Sequence, residues 1–202
     1  MSIIENPSKV YFEPYTEYRS HVSRISLRTP DGKEINIEIG PGASFGAEHV
    51  TTRLCIRGLE EIFKIKKIKT VLDLGCGSGI LGISAKALGA ENVCLIDIDP
   101  LAVEEAKRNA LRNGVDSRVV IFNGSLETIR RKFELVIANI VTDELHRMRE
   151  GIKSLIDNEG LLLVSGISEL KKERALKGFT DIGFSLKREF VEGGWVAMLL
   201  SL

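Results

Sequence analysis

Val71-Leu72-Asp73-Leu74-Gly75-Cys76-Gly77-Ser78-Gly79, continuing into ILGISAKALG and then into NVCLIDI with Asp97, Asp99 and Pro100 behind it, decides how this chain folds. A short apolar run ends at an aspartate, crosses three glycines at alternate positions and becomes helical, after which a second apolar run begins. Strand, glycine turn, helix and strand in that order predict a parallel sheet with a crossover helix. The next helix is punctuated at both ends: Asp99 suits its N-cap, Pro100 its first position, and Asn113-Gly114 its end after Arg112.

Downstream, RVVIFNG, FELVIAN and GLLLVSGI read as three more buried strands. A short irregular link separates the first two, and the helix TDELHRMREGIKSLID separates the second from the third. The tail predicts a helix around SELKKERALKGF and two strands, GFSLKREFVE and GWVAMLLSL, joined at Gly193-Gly194. Upstream, residues 22–39 alternate on either side of Thr29-Pro30-Asp31-Gly32, the pattern of a β-hairpin. A Gly-rich loop then leads into an amphipathic helix carrying Leu54, Leu59, Ile62 and Phe63. The fold class expected is therefore α/β: a seven-stranded, mostly parallel, Rossmann-like sheet with a small N-terminal hairpin.

Bulk properties narrow the function classes. The 202 residues suffice for one α/β domain, and 28 basic residues balance 28 acidic ones. That balance lacks the cationic excess of proteins held mainly by phosphates, so nucleic acid is not indicated as a partner. Three cysteines without a C-x-x-C pair make no disulfide framework, and no apolar run is long enough to span a bilayer. A cytoplasmic, membrane-free and monomeric protein is expected. His21 and His146 lack partners at metal-ligand spacing, and Asp97-x-Asp99 does not continue into a calcium loop, so no metal is implied.

The glycine turn carries the chemistry. Glycines at a strand-to-helix turn let backbone approach a ligand, and the helix start presents free N–H groups. Asp97 ends the next strand about twenty residues later, where a carboxylate can accept from both hydroxyls of a ribose. Asp99 is the better capping residue, which leaves Asp97 for the ribose. Gly77-x-Gly79-x-x-Gly82 also matches a dinucleotide pattern, yet in that pattern the first glycine directly follows the strand. Counting from Gly75 puts Ile80 in the third position, against that reading. Asp73 adds to the case, because a carboxylate there repels a pyrophosphate and suits the ammonium of a methionine moiety.

The runs PGASFGAEHVTTRLCIRGLE, VLDLGCGSGILGISAKALGA, LIDIDPLAVEEAKRNALRNG, ELVIANI and GLLLVSGI, with the closing Trp195, resemble the PrmA family from about Pro41 to the C-terminus. Members of that family methylate amino groups of large-subunit ribosomal protein eleven with S-adenosylmethionine. The resemblance implies a class I methyltransferase domain at residues 41–202, preceded by an arm and hairpin at 1–40. It implies a cofactor set of Thr51, Thr52, Asp73, Gly75, Cys76, Gly77, Gly79, Asp97, Ile98, Gly124, Ser125 and Asn139. Asn139 is expected at the methyl-transfer end, where its amide oxygen and the carbonyl of Ile140 can accept the hydrogens of an incoming amine.

Departures from the family pattern accompany the matches. Phe45, Gly46, Ala47 and Glu48 stand where the family carries Phe-Gly-Thr-Gly, so Phe45 and His49 are expected to form the substrate gate in altered form. Ser125 replaces an acid that is common at the adenine contact. Family members also carry a ferredoxin-like N-terminal domain, which the forty residues before Pro41 are not expected to supply. Methylation of another protein or of RNA, and a cofactor-binding module without catalysis, are the competing readings. Asn139-Ile140-Val141-Thr142 offers no aromatic to stack a base, against the RNA reading. An intact Asp97 and intact glycines speak against a degenerate module.

Overall fold

The computed structural model describes residues 20–44 and 46–202. The expected N-terminal lead (1–19) and the gate residue Phe45 lie outside the described residues. The hairpin forms as β1 (Ser23–Arg28) and β2 (Glu34–Ile39), an antiparallel two-stranded sheet turned at Gly32, whose φ of 84° requires glycine. Two strands alone are marginal in water. Leu27, Ile37 and Ile39 therefore face inward and are fully buried in the main core.

The remaining elements are α1 (Val50–Ile65), β3 (Thr70–Leu74), α2 (Ile80–Ala87), β4 (Asn92–Asp97), α3 (Pro100–Arg112), β5 (Val119–Asn123), β6 (Phe133–Asn139), α4 (Thr142–Ser154), β7 (Ile156–Ser168), α5 (Lys172–Thr180), β8 (Ser185–Glu192) and β9 (Trp195–Ser201). The large sheet runs β5-β4-β3-β6-β7-β9-β8, with β3 to β7 parallel and β9 antiparallel to both β7 and β8. This is the seven-stranded, mostly parallel α/β arrangement that the alternation of runs predicts.

Alternate side chains of each strand feed opposite layers. Val71, Leu95, Leu135 and Ile137 join α1, α2, α3 and the hairpin in one core. Leu72, Leu74, Ile96, Val136 and Ala138 join α4 and α5 in the other. Both faces being covered explains why the central strands read as unbroken apolar runs. Burial is complete at most of these positions, and it positions the strand ends rigidly.

One boundary differs from expectation. The pattern TDELHRMREGIKSLID suggests a helix through Asp157, but α4 stops at Ser154 and β7 begins at Ile156. The carbonyl of Leu155 accepts from Phe133 N at 2.8 Å, so the end of this run is drawn into pairing with β6. A register shift follows, with Glu159 at φ 63°, before Leu161 pairs with Leu135. Tertiary pairing has overridden helical propensity.

Candidate cofactor site at the sheet switch point

Strand order runs outward from β3 in both directions, through β4 on one side and β6 on the other. Such a reversal opens a crevice at the carboxyl ends of the strands, where ligands of open α/β sheets bind. Asp73, the 75–79 loop, Asp97, Ile98, Gly124, Ser125 and Asn139 all lie at this edge. A pattern spread over sixty-odd positions of chain is thus gathered at one crest.

The glycine loop has the backbone that its composition anticipates. Gly75, Gly77 and Gly79 stand at φ 69°, 53° and 81°, where side chains are strained. Gly75 N and Cys76 N both donate to Ile96 O at 2.9 Å, tying the loop to the end of β4. A Cβ on Gly79 would lie 3.2 Å from Ala106 Cα, so this glycine admits α3 beneath the loop. Gly82, inside α2, has another purpose: its Cβ would come within 2.6 Å of Leu95 Cγ, so it serves close helix-to-strand packing.

Asp97 receives Gly77 N on Oδ2 at 2.9 Å and Asp99 N on Oδ1 at 3.0 Å. The expectation that Asp97 has no structural task is therefore corrected: it shapes the glycine loop and the turn into α3. Each carboxylate oxygen retains a lone pair for a further donor. Asp99 caps α3, accepting from Leu101 N at 2.9 Å, as its place before Pro100 predicts.

Asp73 is turned under the loop, 1% exposed, with Oδ2 accepting from Gly82 N at 2.8 Å. Burial pushes its carboxyl up to about 7, and the nearby Asp97 adds to the rise while the Gly82 hydrogen bond opposes it. A cation arriving here would restore its charge.

Across the crevice, Ile140 Cδ1 lies 3.1 Å from where a Cβ on Gly75 would stand. Asn139 is half-buried at the end of β6 and pairs with Ser165 of β7. Gly166, at φ 79° in an irregular stretch of β7, brings its backbone against Ile140: a Cβ there would sit 2.4 Å from Ile140 O. Sequence reasoning passed over Gly166, although a glycine inside an apolar strand run signals close backbone approach.

At the head of α1, Thr51 and Thr52 are buried, and Thr51 Oγ1 pairs with His49 Nδ1 at 2.8 Å. The His49 ring meets Trp195 edge to face, with centroids 6.2 Å apart. Burial, then Arg53, hold the His49 imidazole below its ordinary value, which favours its neutral form. Beyond β5, the Ser125 hydroxyl donates to Glu127, which sets a carboxylate two residues past the position where an acid is common. Glu127 is a second residue that the sequence did not single out.

Comparison with known proteins shows the family of this chain. A family model described as ribosomal protein L11 methyltransferase (PrmA) matches residues 5–201. A ribosomal protein L11 methyltransferase from Clostridium perfringens (strain 13 / Type A) is 33% identical over 174 residues, covering 86% of this chain and 55% of the relative. The chain thus spans about half the length of the curated relatives it matches. The crystal structure of a ribosomal protein L11 methylase from Lactobacillus delbrueckii subsp. bulgaricus superposes with a TM-score of 0.70 at 31% identity, covering 77% of this chain and 80% of that one. A 16S rRNA N2 methyltransferase from T. Thermophilus, solved with AdoMet and guanosine, shares the fold at TM-score 0.68 and 19% identity over 90% of this chain and 51% of that chain.

Proposed function

The chain belongs to the PrmA family, the ribosomal protein L11 methyltransferases, and from that membership we propose that it transfers a methyl group from S-adenosylmethionine to an amino group of a ribosomal protein. The observation that carries this reading is the Asp97 carboxylate holding the amide of Gly77 at 2.9 Å in a left-handed glycine loop, at the switch point of the sheet. The residues fit the cofactor. Bare backbone at Gly75, Gly77 and Gly79, with the main chain of Cys76 between them, admits its methionine part, and the free lone pairs of Asp97 suit ribose hydroxyls. Asp73, whose charge burial opposes, gains from a nearby ammonium.

Ile98, Gly124 and Ser125 complete the adenine side, with the Glu127 carboxylate beside them, while Thr51 and Thr52 close the site from α1. When bound, S-adenosylmethionine supplies an electrophilic methyl group on a sulfonium. The chain's own contribution is positioning. Asn139 and the carbonyl of Ile140 accept hydrogens of the substrate amine and aim its lone pair, and His49 lines the entrance. We assign this work to residues 41–202, against which the hairpin of β1 and β2 packs.

Calorimetric titration of the full chain with S-adenosylhomocysteine tests the cofactor, with NADH and Asp97→Ala as controls. Micromolar binding that is lost in the variant is expected. Failure to bind, or preference for NADH, overturns the reading. Labelled-methyl transfer to ribosomal protein L11, set against ribosomal RNA, then tests the acceptor: label on RNA alone replaces the protein substrate with a nucleic acid.

A further inference from the structure

Three polar residues repeat at four-residue spacing on α3 and its cap: Glu105, Asn109 and Asn113. That spacing puts them on one helix face. Glu105 and Asn109 are only 4% and 2% exposed, an expensive place for a carboxylate and an amide unless both are bonded. On one side their partners are main-chain groups of β2 and of the segment leaving it. Asn113 exchanges two hydrogen bonds with Glu38, donating to its carbonyl at 2.7 Å and accepting from its amide at 2.9 Å. Asn109 Oδ1 accepts from Gly40 N at 2.9 Å, and Glu105 Oε2 from Ser44 N at 3.2 Å. A Cβ on Gly42 would stand 2.1 Å from the Glu105 carboxylate, so the segment presses directly on the helix.

A fastening role for the hairpin accounts for Asn113. It does not account for the other half of Asn109, whose Nδ2 donates at 2.9 Å to Ser78 O in the middle of the glycine loop. One buried amide therefore spends both ends, one on each of two loops. The loops also touch directly: a Cβ on Gly77 would lie 3.3 Å from Ser44 Cβ. Residues 40–44 thus lie against the loop whose Gly77 amide Asp97 holds, and they lead within a few positions to His49, Thr51 and Thr52.

We propose that Asn109, assisted by Glu105, is a positioning residue that makes the 40–44 segment and the glycine loop order as one unit, so that filling the cofactor loop also sets the entrance to the site. The proposal rests on the cofactor reading above. A buried bridge of this kind transmits order because neither loop can shift without leaving an amide end unpaired.

Residue-resolved amide exchange and S-adenosylhomocysteine titration on the full chain test it. In the wild type the ligand is expected to slow exchange at Gly40 and Ser44 together with the glycine loop. In Asn109→Ala, Gly40 and Ser44 no longer respond, and affinity falls about tenfold, in line with the loss of a buried hydrogen-bonding partner. Asn109→Asp keeps an acceptor for Gly40 but sets a carboxylate against Ser78 O, so protection at Gly40 survives while affinity still falls. Asn113→Ala leaves affinity at the wild-type value.

Ligand protection confined to the glycine loop in the wild type overturns the proposal, as does unchanged affinity in both Asn109 variants. Should the wild type bind no ligand, the cofactor reading fails by itself. Exchange in the free chain then decides the coupling: Asn109→Ala speeds both loops if they form one unit, and only Gly40 and Ser44 if they do not.

Discussion

The carboxylate of Asp73 accepts the backbone hydrogen of Gly82 at 2.8 Å from a position that is 1% exposed, so a potential charge sits beneath the glycine loop with little water around it. Burial raises its carboxyl from 3.8 to about 7. Between those values the folded chain holds a proton that the unfolded chain has released, so this group makes stability fall as pH rises from about 4 to 7. Asp73→Asn keeps an oxygen for Gly82 and cannot ionise. The variant is expected to be more stable than wild type at pH 8, by on the order of a few kcal/mol, and to lack that slope. Urea unfolding from pH 4 to 8 checks both, and equal stabilities at pH 8 would refute the account. Cofactor binding should suffer in the same variant.

His49 contributes a slope of opposite sense. Its imidazole is depressed by burial and by Arg53, so the folded chain resists protonation that the unfolded chain accepts. Stability from this group is present above its unfolded value of 6.5 and declines as pH falls below it. His49→Gln should remove the decline, measured as the difference between urea midpoints at pH 5 and pH 7.5. An unaltered difference would show that another group titrates there.

Gly82→Ala sets two effects against each other. Alanine favours a helix over glycine by about 1 kcal/mol. The added methyl, however, would stand 2.6 Å from Leu95 Cγ and 2.8 Å from Cδ2. Overpacking of a tight core costs about 1–3 kcal/mol, so net destabilisation and a lower Tm are expected. A raised Tm would mean that Leu95 yields without strain.

Gly166→Ala addresses the acceptor side. The new side chain would fall 2.4 Å from Ile140 O and would have to adopt φ 79°, so the Ile140 carbonyl must move. Misplacement of a reacting group by about 1 Å can cost on the order of a hundredfold in rate. Methyl transfer is expected to drop by about that factor, with S-adenosylhomocysteine affinity within about threefold of wild type. An equal loss in both would place Ile140 on the cofactor side instead.

The places of the glycine loop, Asp97 and Asn139 at strand ends were legible in advance because each closes a local run. Strand periodicity, alternating glycines and the Asp99-Pro100 start are properties of consecutive residues, and they describe β3, α2, β4 and α3 nearly to the residue. Glu105 and Asn109 were illegible for the converse reason. They lie on a helix of mixed polarity, and their partners Gly40 and Ser44 stand more than sixty residues earlier in the chain. Gly166 and Glu127 likewise acquire meaning only from Ile140 and Ser125.

The sequence by itself determined the α/β class, the glycine loop and the place of Asp97 at the end of β4, since these follow from backbone sterics and apolar period within short windows. Only the tertiary structure decided where α4 yields to β7, which loops share Asn109, and how His49 comes to face Trp195. Those outcomes depend on which elements meet across the sheet, and close packing, rather than local preference, selects them.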